Sequence, residues 1–72
     1  MKSFWNKGTS SRIDSMEYDS ETEVLTVSFK RGGVYEYADV PWKVWDTLIS
    51  EESIGKGFNS LIKGQFSFTK VS

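Results

Sequence analysis

The hydrophobic pattern of this chain changes its period at one point, and that change restricts the fold more than any other feature. Tyr35 and Tyr37 lie on one side of an extended segment, and Val34 and Glu36 lie on the other, because side chains alternate along a strand. Pro41 then ends the extended pattern and suits the first turn of a helix, where no N–H is needed. Strand patterns precede this point and helical patterns follow it, so the sequence predicts an α+β domain.

The part of the chain before Pro41 predicts a meander of three antiparallel strands. Leu25, Val27 and Phe29 alternate with smaller or polar residues, which is the clearest strand pattern in the chain. In the strand before it, the apolar spacing goes from three to two, which indicates a β-bulge. Gly32 and Gly33 predict a hairpin turn, since they lack the strand-to-helix context of a phosphate-binding loop. The predicted strands cover residues 12–18, 23–29 and 34–37.

The part of the chain after Pro41 predicts two short helices and then a fourth strand. Each helix has apolar residues at a spacing of three to four, with Ser53 or an earlier residue placed to cap the second helix and Gly64 to end it. Residues 65–71 alternate again and predict a C-terminal strand that adds to an edge of the meander. The predicted buried positions of the helices are Val44, Trp45, Leu48, Ile49, Ile54, Phe58, Leu61 and Ile62.

The length of 72 residues is that of one domain with one small core. Residues 1–9 show no periodicity and contain Gly8, so we predict a flexible N-terminal arm followed by a single domain over residues 10–72. Phe4 and Trp5 are unusual in an arm, and they either fold back onto the domain or belong to a contact surface.

The absence of cysteine and histidine excludes several classes of function. Without cysteine there is no disulfide scaffold and no thiolate nucleophile, and without histidine the commonest general base is missing. We therefore expect no catalytic site, no metal and no cofactor. No apolar run reaches the roughly 20 residues of a membrane helix, so we expect no membrane association and a cytoplasmic location.

The net charge of −1 hides a separation of sign along the chain. Residues 1–12 carry a charge of +3, residues 13–52 carry −7, and residues 53–72 carry +3. A basic surface is typical of a nucleic-acid-binding protein, whereas a solvated surface of mixed charge does not indicate any particular ligand. The basic ends favour a nucleic-acid ligand, and the acidic middle segment favours a protein partner.

An ordered set of residues runs through the chain between about residues 10 and 68, namely Ser11, Ile13, Tyr18, Asp19, Leu25, Val27, Phe29, Gly33, Tyr35, Glu36, Tyr37, Val40, Pro41, Val44, Leu48, Ser53, Gly55, Phe58, Asn59 and Ile62. In this order the residues resemble the KTSC domain. This module is named for its place at the C-terminus of some lysyl-tRNA synthetases, and it also occurs as a free-standing small protein of bacteria and phages. Phe66 departs from the family, which commonly has a tyrosine near this point.

The missing histidine and cysteine favour a small non-enzymatic binding module, and the resemblance, through its link to a synthetase, implies RNA as the ligand. In the sequence itself, Lys56 and Lys63 are two turns apart in the second helical pattern, where they would form a basic face together with the arm. Tyr35 and Tyr37 either stack on bases or pack in the core. The predicted nucleic-acid-binding residues are Lys7, Arg12, Lys56, Asn59 and Lys63.

A protein-interaction module is the alternative function. Trp5 and Trp42 do not fall on positions that the resemblance keeps apolar, and tryptophan is enriched at interface hot spots. Both residues are therefore candidates for a docking surface, against the simpler interpretation that each covers an edge of the core.

Overall fold

A five-stranded antiparallel sheet and two helices make up this computed structural model, which describes residues 1–6 and 12–72. The strands follow one another in space in the same order as in the sequence, and each neighbouring pair is antiparallel. Two helices lie between the fourth and fifth strands in the sequence. The elements are β1 (Lys2–Trp5), β2 (Ile13–Asp19), β3 (Val24–Phe29), β4 (Gly33–Tyr37), α1 (Trp42–Ser50), α2 (Ile54–Leu61) and β5 (Phe68–Lys70).

The N-terminal residues were predicted as a flexible arm, and for Lys2–Trp5 this is wrong. These residues form β1, which pairs with β2 so that Phe4 lies opposite Glu17 and Trp5 lies opposite Met16. The sequence predicted four strands, three in the meander and one at the C-terminus, whereas the described part of the chain has five. The reason is that β1 is specified by its pairing with β2 and not by a local pattern, since four residues are too few to show a period.

The meander over β2, β3 and β4 and the edge position of β5 agree with the sequence prediction. Leu25 and Val27 are fully buried, and they pair with Tyr37 and Tyr35 across the sheet. The register shifts between Ile13 and Ser15, where the spacing predicted a bulge. The sheet therefore directs one apolar face toward the helices.

Helix α1 packs on this face through Trp45 and Leu48, both of which are buried. The indole of Trp45 stacks on the ring of Tyr18, with 5.5 Å between the ring centroids. The Tyr18 hydroxyl donates a hydrogen bond of 2.6 Å to the carbonyl of Val40, just before the helix. This bond satisfies the polar end of a buried ring and fixes the entry of the chain into α1.

Helix α2 begins after Ser53, whose side chain accepts a hydrogen bond of 3.4 Å from the backbone N–H of Lys56. Ile54 and Phe58 are buried beneath it, and the chain turns away at Gly64, which has φ +80. The cap and the stop signal are both as predicted. Neither described helix is long and apolar enough to cross a membrane.

Candidate nucleic-acid interface

A row of side chains on the helix-facing side of the sheet changes from buried to exposed as it approaches β5. Tyr18, Leu25, Tyr37 and Phe68 are successive partners across β2, β3, β4 and β5. Their exposed fractions are 1%, 0%, 6% and 60%. The helices therefore cover the middle of the sheet and leave its β5 edge open.

Five aromatic side chains at this open edge contact one another in a closed ring. Each makes two ring contacts within the set, at centroid distances of 5.5 to 5.6 Å. Three of these contacts are close to perpendicular, which is a favoured geometry for aromatic pairs. In order of contact, the ring runs through Phe29, Tyr35, Phe68, Tyr37 and Phe58.

These rings line a cleft of about 410 Å³ between the sheet, α2 and the segment that follows α2. This volume falls in the range typical of small-molecule sites. Arg12 and Lys63 bring positive charge to the cleft, and Asn59 brings an amide. The aromatic cleft, as we call it below, is lined by Arg12, Ile13, Phe29, Gly32, Tyr35, Tyr37, Gly55, Phe58, Asn59, Lys63, Gly64 and Phe68.

No acidic side chain lines the aromatic cleft, although the whole chain has more acidic than basic residues. None of the ten acidic residues, all of which the structure describes, is among its lining residues. Asp19, Glu21 and Glu23 are located in and around the β2–β3 turn. Because successive hairpins of a meander lie at opposite ends of the sheet, this turn is at the far end from Gly32.

Three of the predicted nucleic-acid-binding residues meet in the aromatic cleft, namely Arg12, Asn59 and Lys63. Lys56 is exposed on α2 and does not line it. The predicted helix face does not reach Lys63, because α2 ends at Leu61 with Ile62 as its C-cap. Lys63 belongs to the segment after the helix, and the prediction for Lys7 lies outside the described residues.

The two candidate docking tryptophans differ in their surroundings. Trp5 is only 5% exposed and belongs to the core, so its predicted role as an exposed docking residue is wrong. The pairing of β1 with β2 turns its indole toward the helices, alongside Met16. Trp42, in the first turn of α1, is 55% exposed and is available for contact.

The sequence prediction did not bring the five aromatic residues of the aromatic cleft together as one site. The alternation places Phe29, Tyr35 and Tyr37 on one face of the meander, which is a usable signal. Phe58 comes from a helix and Phe68 from the last strand, and only the packing of α2 and the pairing of β5 with β4 bring them to the other three.

The titration behaviour of the buried tyrosines follows from their environment. Burial raises the pKa of Tyr37 above its ordinary value, and the neighbouring Tyr35 adds to the effect. Burial also raises the pKa of Tyr18, with smaller contributions from Glu23 and Asp19. At neutral pH both phenols are therefore protonated, and the cleft gains no negative charge from Tyr37. In the described residues, no group of three or more potential metal-ligating side chains is present.

Comparison with known proteins shows clear relatives. The KTSC domain model matches residues 9–66. The crystal structure of a KTSC domain protein from Yersinia pestis has a TM-score of 0.91 and 32% sequence identity, covering 100% of both chains. A lysine–tRNA ligase of Nostoc punctiforme is 41% identical over 66 residues, which make up 92% of this chain and 12% of the ligase. An uncharacterized protein of Stutzerimonas stutzeri is 39% identical over 56 residues, which make up 78% of this chain and 79% of that protein.

Proposed function

This chain belongs to the KTSC domain family, and we propose that it is a small binding module whose aromatic cleft takes single-stranded RNA. The observation that carries the proposal is the closed ring of five aromatic side chains, with Arg12 and Lys63 among the same lining residues and no acid among them. The related segment of lysine–tRNA ligase supports RNA as the ligand, because that enzyme's name includes tRNA as its substrate.

The exposed rings provide the surface for a base. Phe68 is exposed and Tyr35 is partly exposed, and their rings are 5.6 Å apart at the open side of the cleft. Stacking of one base on an aromatic side chain contributes about 1 to 3 kcal/mol and tolerates different bases. Single-stranded RNA suits this surface, because its bases are free to leave their own stack.

The cations provide the contacts for the backbone. Lys63 is exposed, and it forms no ion pair with any residue in the described part of the chain. A lysine that contacts a phosphate releases a counterion, so binding should weaken as salt rises. Asn59 adds an amide that can donate to and accept from a base edge.

The proposal is tested by titrating labelled single-stranded RNA into the protein at low and at moderate salt, with amide chemical shifts as the readout. We expect shifts at Phe29, Tyr35, Asn59, Lys63 and Phe68 that weaken as salt rises. An absence of shifts at low salt would rule the proposal out.

Matched variants separate the cleft from the rest of the surface. Phe68→Ala should weaken RNA binding about tenfold, which corresponds to the loss of one stacked base. Phe4→Ala is the control, because Phe4 is also an exposed phenylalanine on an edge strand but lies on the opposite face, across from Glu17. Lys63→Glu should weaken binding and flatten its salt dependence, whereas Lys43→Glu on α1 should change neither. Equal effects within either pair would contradict the proposal.

A second candidate function is protein binding through Trp42. The exposure of this indole supports it, since large aromatic side chains at a surface are common interface anchors. If this is the function, Trp42→Ala should abolish co-purification of a partner protein while Phe68→Ala leaves it intact.

A further inference from the structure

A second basic groove adjoins the aromatic cleft at the turn between β3 and β4. It has a volume of about 240 Å³. It shares Arg12, Phe29 and Gly32 with the cleft, so the two lie next to each other. The turn groove, as we call it, is lined by Arg12, Phe29, Lys30, Arg31 and Gly32.

The fold fixes this turn beside the start of β2. The backbone N–H of Lys30 donates a hydrogen bond of 2.8 Å to the carbonyl of Arg12. Gly33 has φ +85, which lets the chain reverse directly into β4. The groove is therefore held in place next to the cleft by backbone contacts.

Lys30 and Arg31 interrupt the acidic middle segment of the sequence, and the fold places them at the opposite end of the sheet from Asp19, Glu21 and Glu23. Both side chains are exposed, and neither is ion-paired with another described residue. No acid is among the residues that line the turn groove. The turn groove therefore places Lys30 and Arg31 next to the aromatic cleft, and Phe29 is the one aromatic residue among those that line it.

We propose that the turn groove holds the backbone phosphate of the nucleotide adjacent to the one whose base occupies the aromatic cleft. The unit recognised is then longer than a single nucleotide. Lys30 and Arg31 contact the phosphate as exposed cations, while Phe68 and Tyr35 hold the neighbouring base. This inference rests on the proposed function, because it extends the same site.

The test compares adenosine, which has a base but no phosphate, with an adenylate trinucleotide as ligands of the full chain. We expect the trinucleotide to bind at least about tenfold more tightly, because it alone can occupy both the cleft and the turn groove. Arg31→Glu and Lys30→Glu should each weaken trinucleotide binding and leave adenosine binding unchanged. Each should also reduce the slope of log affinity against log salt by about 0.7, the value for one phosphate contact on a single strand.

Lys43→Glu is the charge-matched control and should alter neither ligand's affinity. Equal affinity for the two ligands, or equal losses for both in Arg31→Glu, would overturn the inference while leaving the cleft as an RNA site. Failure of both ligands and of longer RNA to bind the parent protein would overturn the proposed function as well. Unfolding curves of the variants should match the parent, since both side chains are exposed in a turn.

Discussion

Aromatic side chains at the two edges of the sheet lie on the same face, but they are buried at the β1 edge and exposed at the β5 edge. On β1, Trp5 is buried beside Met16, and the neighbouring Tyr18 is stacked under Trp45 of α1. On β5, Phe68 is exposed, and its contacts are with Tyr35 and Tyr37 of the adjacent strand. An aromatic residue in a strand is thus a core residue or a candidate binding residue according to whether a helix covers it.

This difference follows from which rows of the sheet the helices cover. Tyr18, Leu25 and Tyr37 of β2, β3 and β4 are buried, whereas their neighbour Phe68 of β5 is exposed. The helices therefore cover the middle rows of the sheet and leave the β5 row open. The edge that stays open is the one where the aromatic residues and the cations meet.

The largest expected effect comes from removing an aromatic side chain at each edge. Trp5→Ala should lower the free energy of unfolding by about 3 kcal/mol, because it empties a buried site. Phe68→Ala should lower it by less than about 1 kcal/mol, because most of that ring is in solvent. Urea unfolding followed by tryptophan fluorescence measures both. A loss of stability in Phe68→Ala as large as that in Trp5→Ala would remove the distinction between the edges.

An intermediate effect is expected at Gly33, at the start of β4, and not at its neighbour Gly32. A Cβ at Gly33 would fall against the carbonyl oxygen of Ser72, and its φ of +85 disfavours any side chain. Gly33→Ala should therefore cost about 1 to 2 kcal/mol and loosen the pairing of β5. Gly32→Ala is the control, because its Cβ would make only an ordinary contact of 3.4 Å with Phe29.

Amide hydrogen exchange locates this effect. The N–H groups of Ala38 and Val71, which bond to the carbonyls of Ser67 and Val34, should exchange faster in Gly33→Ala. Unchanged exchange at both amides would show that the open edge does not depend on the close approach at Gly33.

The smallest expected effect is a loss of stability in alkaline solution. Burial favours the neutral phenols of Tyr18 and Tyr37, so their pKa values in the folded state lie above the ordinary value of 10.0. The unfolded chain then releases these protons first as pH rises. The stabilisation is complete below about pH 10 and is lost above it, by at most about 1.4 kcal/mol per pH unit for each proton.

Tyr37→Phe tests which edge contributes to this loss. The substitution keeps the ring and removes the ionisable hydroxyl, so the free energy of unfolding should fall less steeply above about pH 10 than in the parent. Urea unfolding between about pH 8 and pH 11 measures the slope. Parallel curves for the parent and the variant would assign the whole effect to other groups.

Much of the fold could be predicted from the sequence because the patterns that specify it are local. The alternation around Leu25 and Val27, the spacing of Trp45 and Leu48, and the cap at Ser53 each depend on residues close in sequence. β1 could not be predicted in this way, since its four residues become a strand only by pairing with β2.

The candidate site was predictable only in part for the same reason. Arg12, Asn59 and Lys63 were found from charge and chemical type, but the helix face that was expected to join Lys56 to Lys63 ends before Lys63. Lys30 and Arg31, which precede the two glycines of the predicted hairpin turn, were not predicted as site residues, because nothing near them in the sequence indicates that Phe29 lies next to an aromatic cluster.

The sequence by itself determined the α+β class, the meander over β2, β3 and β4, and the two helices, because periodicity is a property of residues close together in the chain. The tertiary structure alone decided that Trp5 is buried, that five aromatic rings close into one cluster, and that cations distant in sequence share its cleft. Those outcomes depend on strand pairing and on how far the helices extend over the sheet, and both are set by contacts between segments far apart in the chain.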